Sequence, residues 1–319
     1  MERFQHFSDN AGMDVLKIAG FDRGVLLTVA DLKGFLTAEN LRITFDQVSN
    51  STMEISGLLD GKWDVAFDNG DNVVAWNQGF GADGRPHDFF IFMGGSAELE
   101  QDLFVTPDIG TVEDLRGKLL GADAIGTGFA VVLRYILDSH GLAFPRDYEF
   151  KPVGSTRIRL AELEARRISG AMLNPRYIEE SGSDLHRLAR GRDYAKPYPA
   201  RVGLTTRHWA AAHRSLLVRF IAAMIRAIDW LSDSRNEFEA IALIGSEQNR
   251  SGARAEKVYR RLLEPAGDLF NRDAFVRETL STVLEIRRKL GLIGSPLPAF
   301  DQFHDESYYR QALSLAEAR

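Results

Sequence analysis

The sequence predicts an α/β protein: two units of alternating strand and helix, then a helical C-terminal third. Three observations carry that prediction. Short apolar runs alternate with amphipathic stretches over the first two hundred residues, the pattern of a largely parallel sheet flanked by helices. A second unit of the same kind begins near Thr111. Past Thr205 only helical periodicity remains. The length of 319 residues suits two domains, and 45% hydrophobic with 26% charged residues is an ordinary globular balance.

In the first unit, Val15 to Ala19 is a short apolar strand, and Val25 to Phe35 has apolar residues at helical spacing. Leu41 to Phe45 alternates apolar and polar, as a half-buried strand does. After the polar cluster Ser49 to Thr52, a helix from Met53 to Leu59 closes on Asp60-Gly61, with Gly61 where a helix-terminating glycine belongs. Trp63 to Phe67 is the third strand, Val73 to Trp76 a helix, and Phe89 to Met93 an entirely apolar strand. In the second unit, Thr111 to Asp114 has the spacing of a capping box, opening a helix that ends at Gly117. Leu119 to Ala122 is a strand, Ala130 to His140 an amphipathic helix, and Tyr148 to Val153 a strand. Arg157 to Arg167 is a charged helix and Ala171 to Leu173 a strand. Lys196 to Pro199 is a linker before a last strand, Val202 to Thr205. Helices are then expected at 207–213, 215–233, 235–244, 252–263, 271–289 and 305–317.

Composition excludes several functions. A net charge of −6 gives no general attraction to nucleic acid. The absence of cysteine removes disulfides, thiolate metal sites and a cysteine nucleophile together. Ser215 to Leu231, the most apolar long stretch, is interrupted by Arg219, Arg226 and Asp229, whereas a membrane span needs ~20 apolar residues. The opening MERFQHFSDNAGMD has no basic n-region or apolar h-region.

The residues with chemistry to offer follow strand ends and precede helices, the edge where parallel α/β sheets bind ligands. Unpaired N–H groups and the helix dipole favour anions there. Four loops stand out: Asp22-Arg23-Gly24, Asn50-Ser51-Thr52, Asp68 to Asn72, and Gly126-Thr127-Gly128. Any one of them is adequately explained as helix capping. Four together, split between two units, suggest a cleft. Arg23 and Arg176 suit an anionic partner, and Asp68 and Asp71 an amine or ring N–H. Trp76, Phe80, Phe129 and Tyr177 offer stacking area. The sequence has no H-E-x-x-H, G-x-S-x-G or P-loop, and neither a metal nor a cofactor is expected. Of the histidines, His87 is the one to watch. The Arg-rich helices 157–167 and 254–261 read as solvated faces.

The order of elements resembles the type 2 periplasmic solute-binding proteins, in the branch of sulfonate, nitrate and taurine binders and thiamine-pyrimidine-synthase-like proteins. The resemblance rests on the Arg23 loop leading into Val29 to Leu36, on Ser51-Thr52-Met53, on Leu58 to Phe67, on Thr111 to Lys118, on Gly126-Thr127-Gly128 and on Trp209 to Ile228. It covers roughly residues 14–240. It implies two lobes, each a mixed, mainly parallel sheet flanked by helices, with crossings near 95–108 and 196–204. Lobe 1 would be discontinuous, 14–100 and 201–319, lobe 2 would be 101–200, and the ligand cleft would lie between them. It further implies ligand contacts at Asp22, Arg23, Asn50, Ser51, Thr52, Asp68, Asn69, Asp71, Thr127, Gly128, Asn174 and Arg176.

Two readings follow. In the first, the chain binds a small organic solute, an organic anion or a nitrogen heterocycle, for an ABC transporter. Its partners are then the ligand and a transporter permease, with no nucleic acid and no membrane insertion. In the second, it is a cytoplasmic enzyme on the same scaffold, of decarboxylase or hydrolase type, with Asp68, Asp71 and His87 as proton-transfer groups. The expected location is periplasmic or extracellular if a leader precedes this sequence, and cytoplasmic if it is complete as written. Phe300, Phe303, Tyr308 and Tyr309 are candidates for a dimer contact.

Overall fold

The computed structural model describes residues 12–126, 128–247, 251–264 and 274–318. The first stretch contains β1 (Asp14–Gly20), α1 (Gly24–Leu32), α2 (Phe35–Ala38), β2 (Leu41–Gln47), α3 (Ser51–Leu59), β3 (Val65–Asp68), α4 (Gly70–Asn77) and β4 (Phe89–Met93). Next come β5 (Asp102–Val105), β6 (Leu119–Ala122), α5 (Gly128–Ser139), β7 (Glu149–Pro152), α6 (Thr156–Glu164), β8 (Gly170–Leu173), α7 (Pro175–Ser181) and β9 (His186–Arg190). The rest is β10 (Val202–Thr206), α8 (Arg207–Ala212), α9 (Arg214–Ser232), α10 (Glu237–Glu247), α11 (Gly252–Leu262), α12 (Ala274–Lys289) and α13 (Ser307–Glu317).

The strands form two sheets of five, ordered β2-β1-β3-β10-β4 and β7-β6-β8-β5-β9. In the first, β1 runs parallel to β2 and β3, while β10 is antiparallel to β3 and β4. In the second, β6 runs parallel to β7 and β8, while β5 is antiparallel to β8 and β9. Each sheet therefore has four strands in one direction and one reversed. The mixed, mainly parallel sheets expected from the sequence are what the chain forms. The reversed strand of the first sheet, β10, enters only after the whole second sheet has been laid down.

β4 shows why a wholly apolar run belongs here. Phe89 and Ile91 face one core, Phe90 and Phe92 the other, as in a strand covered on both faces. One of these cores lies under α1, α9 and α13. The other runs from α3 and α4 across to the second sheet and α12. On α9, Leu217, Phe220, Ile221, Met224, Ile225, Ile228 and Leu231 are buried, each side chain contributing about 1.5–3 kcal/mol relative to exposure. The charges that interrupt this helix anchor it. Arg226 pairs with the buried Glu39 at 2.6 Å, and Arg219 donates to the Glu39 carbonyl and to Asp14. Among the described residues no helix is long and apolar enough to cross a membrane.

Local expectations held where capping chemistry is explicit. Gly61 follows α3 with φ +69°, a conformation open to glycine without strain. Asp114 accepts the N–H groups of Gly110 and Thr111, but the turn it supports is a short 3₁₀ segment, Glu113–Leu115, not a full helix. Two strands were not anticipated. β5 lies where a lobe crossing was expected, and β9 is a polar edge strand without an apolar alternation. The proposed dimer aromatics are not a free surface: Phe303, Tyr308 and Tyr309 are buried in the cores and Phe300 is half-buried.

Candidate functional site

A cavity of about 630 Å³ lies where strand ends of the two sheets face each other. The first sheet contributes Asp22 and Arg23 after β1, Ser51 after β2, and Asp68 and Asn69 at the end of β3. The second contributes Asp123 and Gly128 after β6, and Asn174 and Arg176 after β8. Eight of the expected contacts thus meet at one place: Asp22, Arg23, Ser51, Asp68, Asn69, Gly128, Asn174 and Arg176. Phe129 and Tyr177 supply aromatic wall, whereas Trp76 belongs to the core and Phe80 packs against it.

Other expectations require correction. Asn50 caps α3, accepting the Met53 N–H at 2.7 Å, and like Thr52 it does not line the cavity. Asp71 is committed to a buried ion pair with Arg287, at 2.6 and 2.7 Å. His87 lies outside the cavity, bonded to Asp83 at 2.9 Å and packed against Trp76 and Phe89. Of the three proposed proton-transfer groups, only Asp68 faces the cavity. Thr127 lies outside the described residues. Asn69 and Asn174 line the cavity while also capping α4 and α7.

The sequence reading missed several wall residues. Arg201, just before β10, donates to the Asp22 carboxylate at 3.0 Å and to its carbonyl at 2.9 Å. That guanidinium holds the Asp22 carboxyl below the usual range. Arg159 on α6 is buried and donates to the Met172 carbonyl, the Gly154 carbonyl and the Thr156 hydroxyl. Burial lowers its pKa to about 10. Arg157, Arg254 and Arg261 also line the cavity, so the Arg-rich helices are not merely solvated faces. Across this wall Arg and Lys outnumber Asp and Glu, although the chain is net acidic. Arg176 sits over the Tyr177 ring and bonds to its hydroxyl, and among the described residues it forms no ion pair.

Beneath the wall, Glu54 is fully buried beside Asp68. Neither Glu54 oxygen meets an N–H or O–H, so a proton shared with the Asp68 carboxylate satisfies both acids. Burial pushes Asp68 up to about 6 and Glu54 well above its usual range. Asp68 also accepts from Asn72 and from a backbone N–H, which makes it the more ionised partner. Because the folded pair holds its proton more tightly than the unfolded chain does, the stability it confers is complete below about pH 4. It falls as pH rises, through about 6 for Asp68 and further up for Glu54, whose carboxyl is raised more. Asp147 and Glu162, lowered to about 2 by arginine contacts, act only at more acid pH. Glu54→Gln, which can donate an N–H to Asp68, is therefore expected to flatten the fall in melting temperature between pH 4.5 and 8. Equal slopes in wild type and variant would count against the shared proton.

Two five-stranded mixed sheets, each holding one reversed strand, with a cavity between their strand ends, define the periplasmic-binding-protein fold of type 2. The NMT1/THI5 like family model matches residues 25–237, and the chain belongs to that family. No curated protein sequence matches it. Among solved structures it is similar to the alkanesulfonate-binding protein SsuA from Xanthomonas axonopodis pv. citri bound to MOPS. There the TM-score is 0.69 and the identity 17%, with 91% of this chain and 98% of that one covered. It is also similar to the periplasmic nitrate-binding protein NrtA from Synechocystis PCC 6803, with TM-score 0.72, identity 12% and coverages of 96% and 90%. The desulfurization enzyme DSZB matches with TM-score 0.61, identity 16% and coverages of 96% and 100%. At such identities the likeness defines the fold, and that fold carries both binding proteins and an enzyme.

Proposed function

We propose that the chain is the solute-binding component of an ABC import system, acting in the periplasm. Residues 14–100 with 201–319 form one lobe and 101–200 the other, and they close on a small organic solute, an organic anion or a nitrogen heterocycle. Asp22, Arg23, Ser51, Asp68, Asn69, Gly128, Asn174 and Arg176 contact it. The observation that carries this reading is the cavity itself. It has the volume of a small-molecule site and is walled by polar loops from both sheets. Its excess of basic residues favours an anionic group on the ligand, with Arg176 as the best placed partner.

A second reading rests on Asp68, a cavity-facing carboxyl raised to about 6. Such a group suits proton transfer near neutral pH, and in that case the protein turns its ligand over. A thermal-shift screen against organic acids, sulfonates and pyrimidines, followed by chromatography of each hit, separates the two. A ligand at 100 times its Kd stabilises by about 2.7 kcal/mol. Recovery of the ligand intact is the expected result. Conversion that disappears in Asp68→Asn would replace the binding-protein reading with the enzyme.

A further inference from the structure

Two helices start at the cavity from opposite sides, α3 from the first sheet and α5 from the second. Each N-terminus already holds an anion, and each anion comes from the other side. Asp123, in the loop after β6, accepts the Ser51 N–H at 3.0 Å and its hydroxyl at 2.6 Å, at the first residue of α3. Asp71, on α4, accepts the Gly128 N–H at 2.5 Å, at the first residue of α5. Arg287 balances the Asp71 charge from within the core. Free N–H groups and dipole are what make a helix start attractive to an anion. Here the protein's own carboxylates take up that attraction, and Asp123, which lines the cavity, would repel a second negative charge.

The deep wall that remains offers acceptors. Asn72 Oδ1, Gln101 Oε1 and Asp123 Oδ1 are buried and meet no donor, and all three residues line the cavity. Asn72 is 2% exposed and Gln101 8%. Their own donors are already engaged, Asn72 with Asp68 and Gln101 with Thr156, so the orphaned atoms are the oxygens. Arg159 nearby turns its nitrogens to Met172, Gly154 and Thr156. Buried acceptors left without donors are costly, and a ligand N–H would relieve that cost.

We propose that the buried part of the cavity wall around Asn72, Gln101 and Asp123 is a subsite for an N–H-donor head group of ammonium or amidinium type, and that Asp123 excludes an anionic head from it. This deepens the reading that a solute binds in the cavity and depends on that reading. An anionic group on the same ligand then lies at the outer arginines, with Arg176. Calorimetric titration of the full chain with benzamidinium and with butanesulfonate tests the assignment. Wild type binds benzamidinium the more tightly. Asp123→Ala weakens benzamidinium at least tenfold and strengthens butanesulfonate at least tenfold, a gain that an unfolded variant cannot produce. Asp123→Asn, which keeps an acceptor without the charge, falls between them. Tighter butanesulfonate binding by wild type, with no gain in Asp123→Ala, overturns the subsite and leaves solute binding standing. Binding of neither probe, with no hit in the wider screen, overturns both.

Discussion

Arg287→Met is expected to destabilise the protein by about 3–5 kcal/mol, the usual cost of leaving a buried charge without its partner. The Arg287 side chain is 0% exposed and that of Asp71 2%. The guanidinium makes a two-pronged contact with Asp71, donates to the Gly126 carbonyl at 3.0 Å and lies over the Phe80 ring. One side chain on α12 thus secures the start of α4, the loop before α5 and, through Asp71, the first N–H of α5. Lys289 adds a bond from the same helix to Tyr135 on α5. Denaturant unfolding of wild type, R287M and R287M with D71N measures the effect. The double variant should recover part of the loss, because it removes the stranded carboxylate. A loss below about 1 kcal/mol in R287M, the range of exposed pairs, would mean the pair is not buried as described.

Arg159→Met is expected to cost about 2–4 kcal/mol and to reduce ligand affinity at least tenfold. Two carbonyls and a hydroxyl lose a donor in a buried place, at about 1–3 kcal/mol for each group left unpaired. The same side chain links α6 to the end of β8 and to the loop before α6, so its loss disturbs the wall that carries Thr156 and Asn174. Arg159→Lys, with a single nitrogen in place of a planar fork, should recover only a fraction of both losses. Comparing unfolding midpoints and Kd for the hit from the ligand screen checks this. An R159M protein with unchanged stability and affinity would show that the buried fork is dispensable.

These residues also mark how far the sequence could be read. Strands buried on both faces, such as Phe89 to Met93, declare themselves by composition, and the loops that follow them mark the ligand edge. Asp22 and Asp68 sit in such loops, and the family resemblance adds Arg176 to the same cleft. β9 could not be recognised, because an edge strand with polar ends has no period-two apolar signal. Asp71 was expected to touch ligand because it sits in the right loop. Its real partner, Arg287, is 216 positions away and occupies the last turn of a helix where arginine is ordinary. Arg159 looked solvated because its helix is rich in charge, yet the position lies on the inward face. Glu54 gave no signal at all, since a carboxylate in the first turn of a helix is normally a favourable surface residue. Pairwise burial between distant positions is what periodicity and spacing do not encode.

A crystal structure with a ligand from the thermal-shift screen is the decisive check on whether a small molecule binds between the two sheets. Ligand density is expected in the cavity, within hydrogen-bond reach of residues at the ends of both β3 and β8, among them Asp68 or Asn69 and Asn174 or Arg176. Ligand bound elsewhere, with that cavity filled only by water, would contradict it.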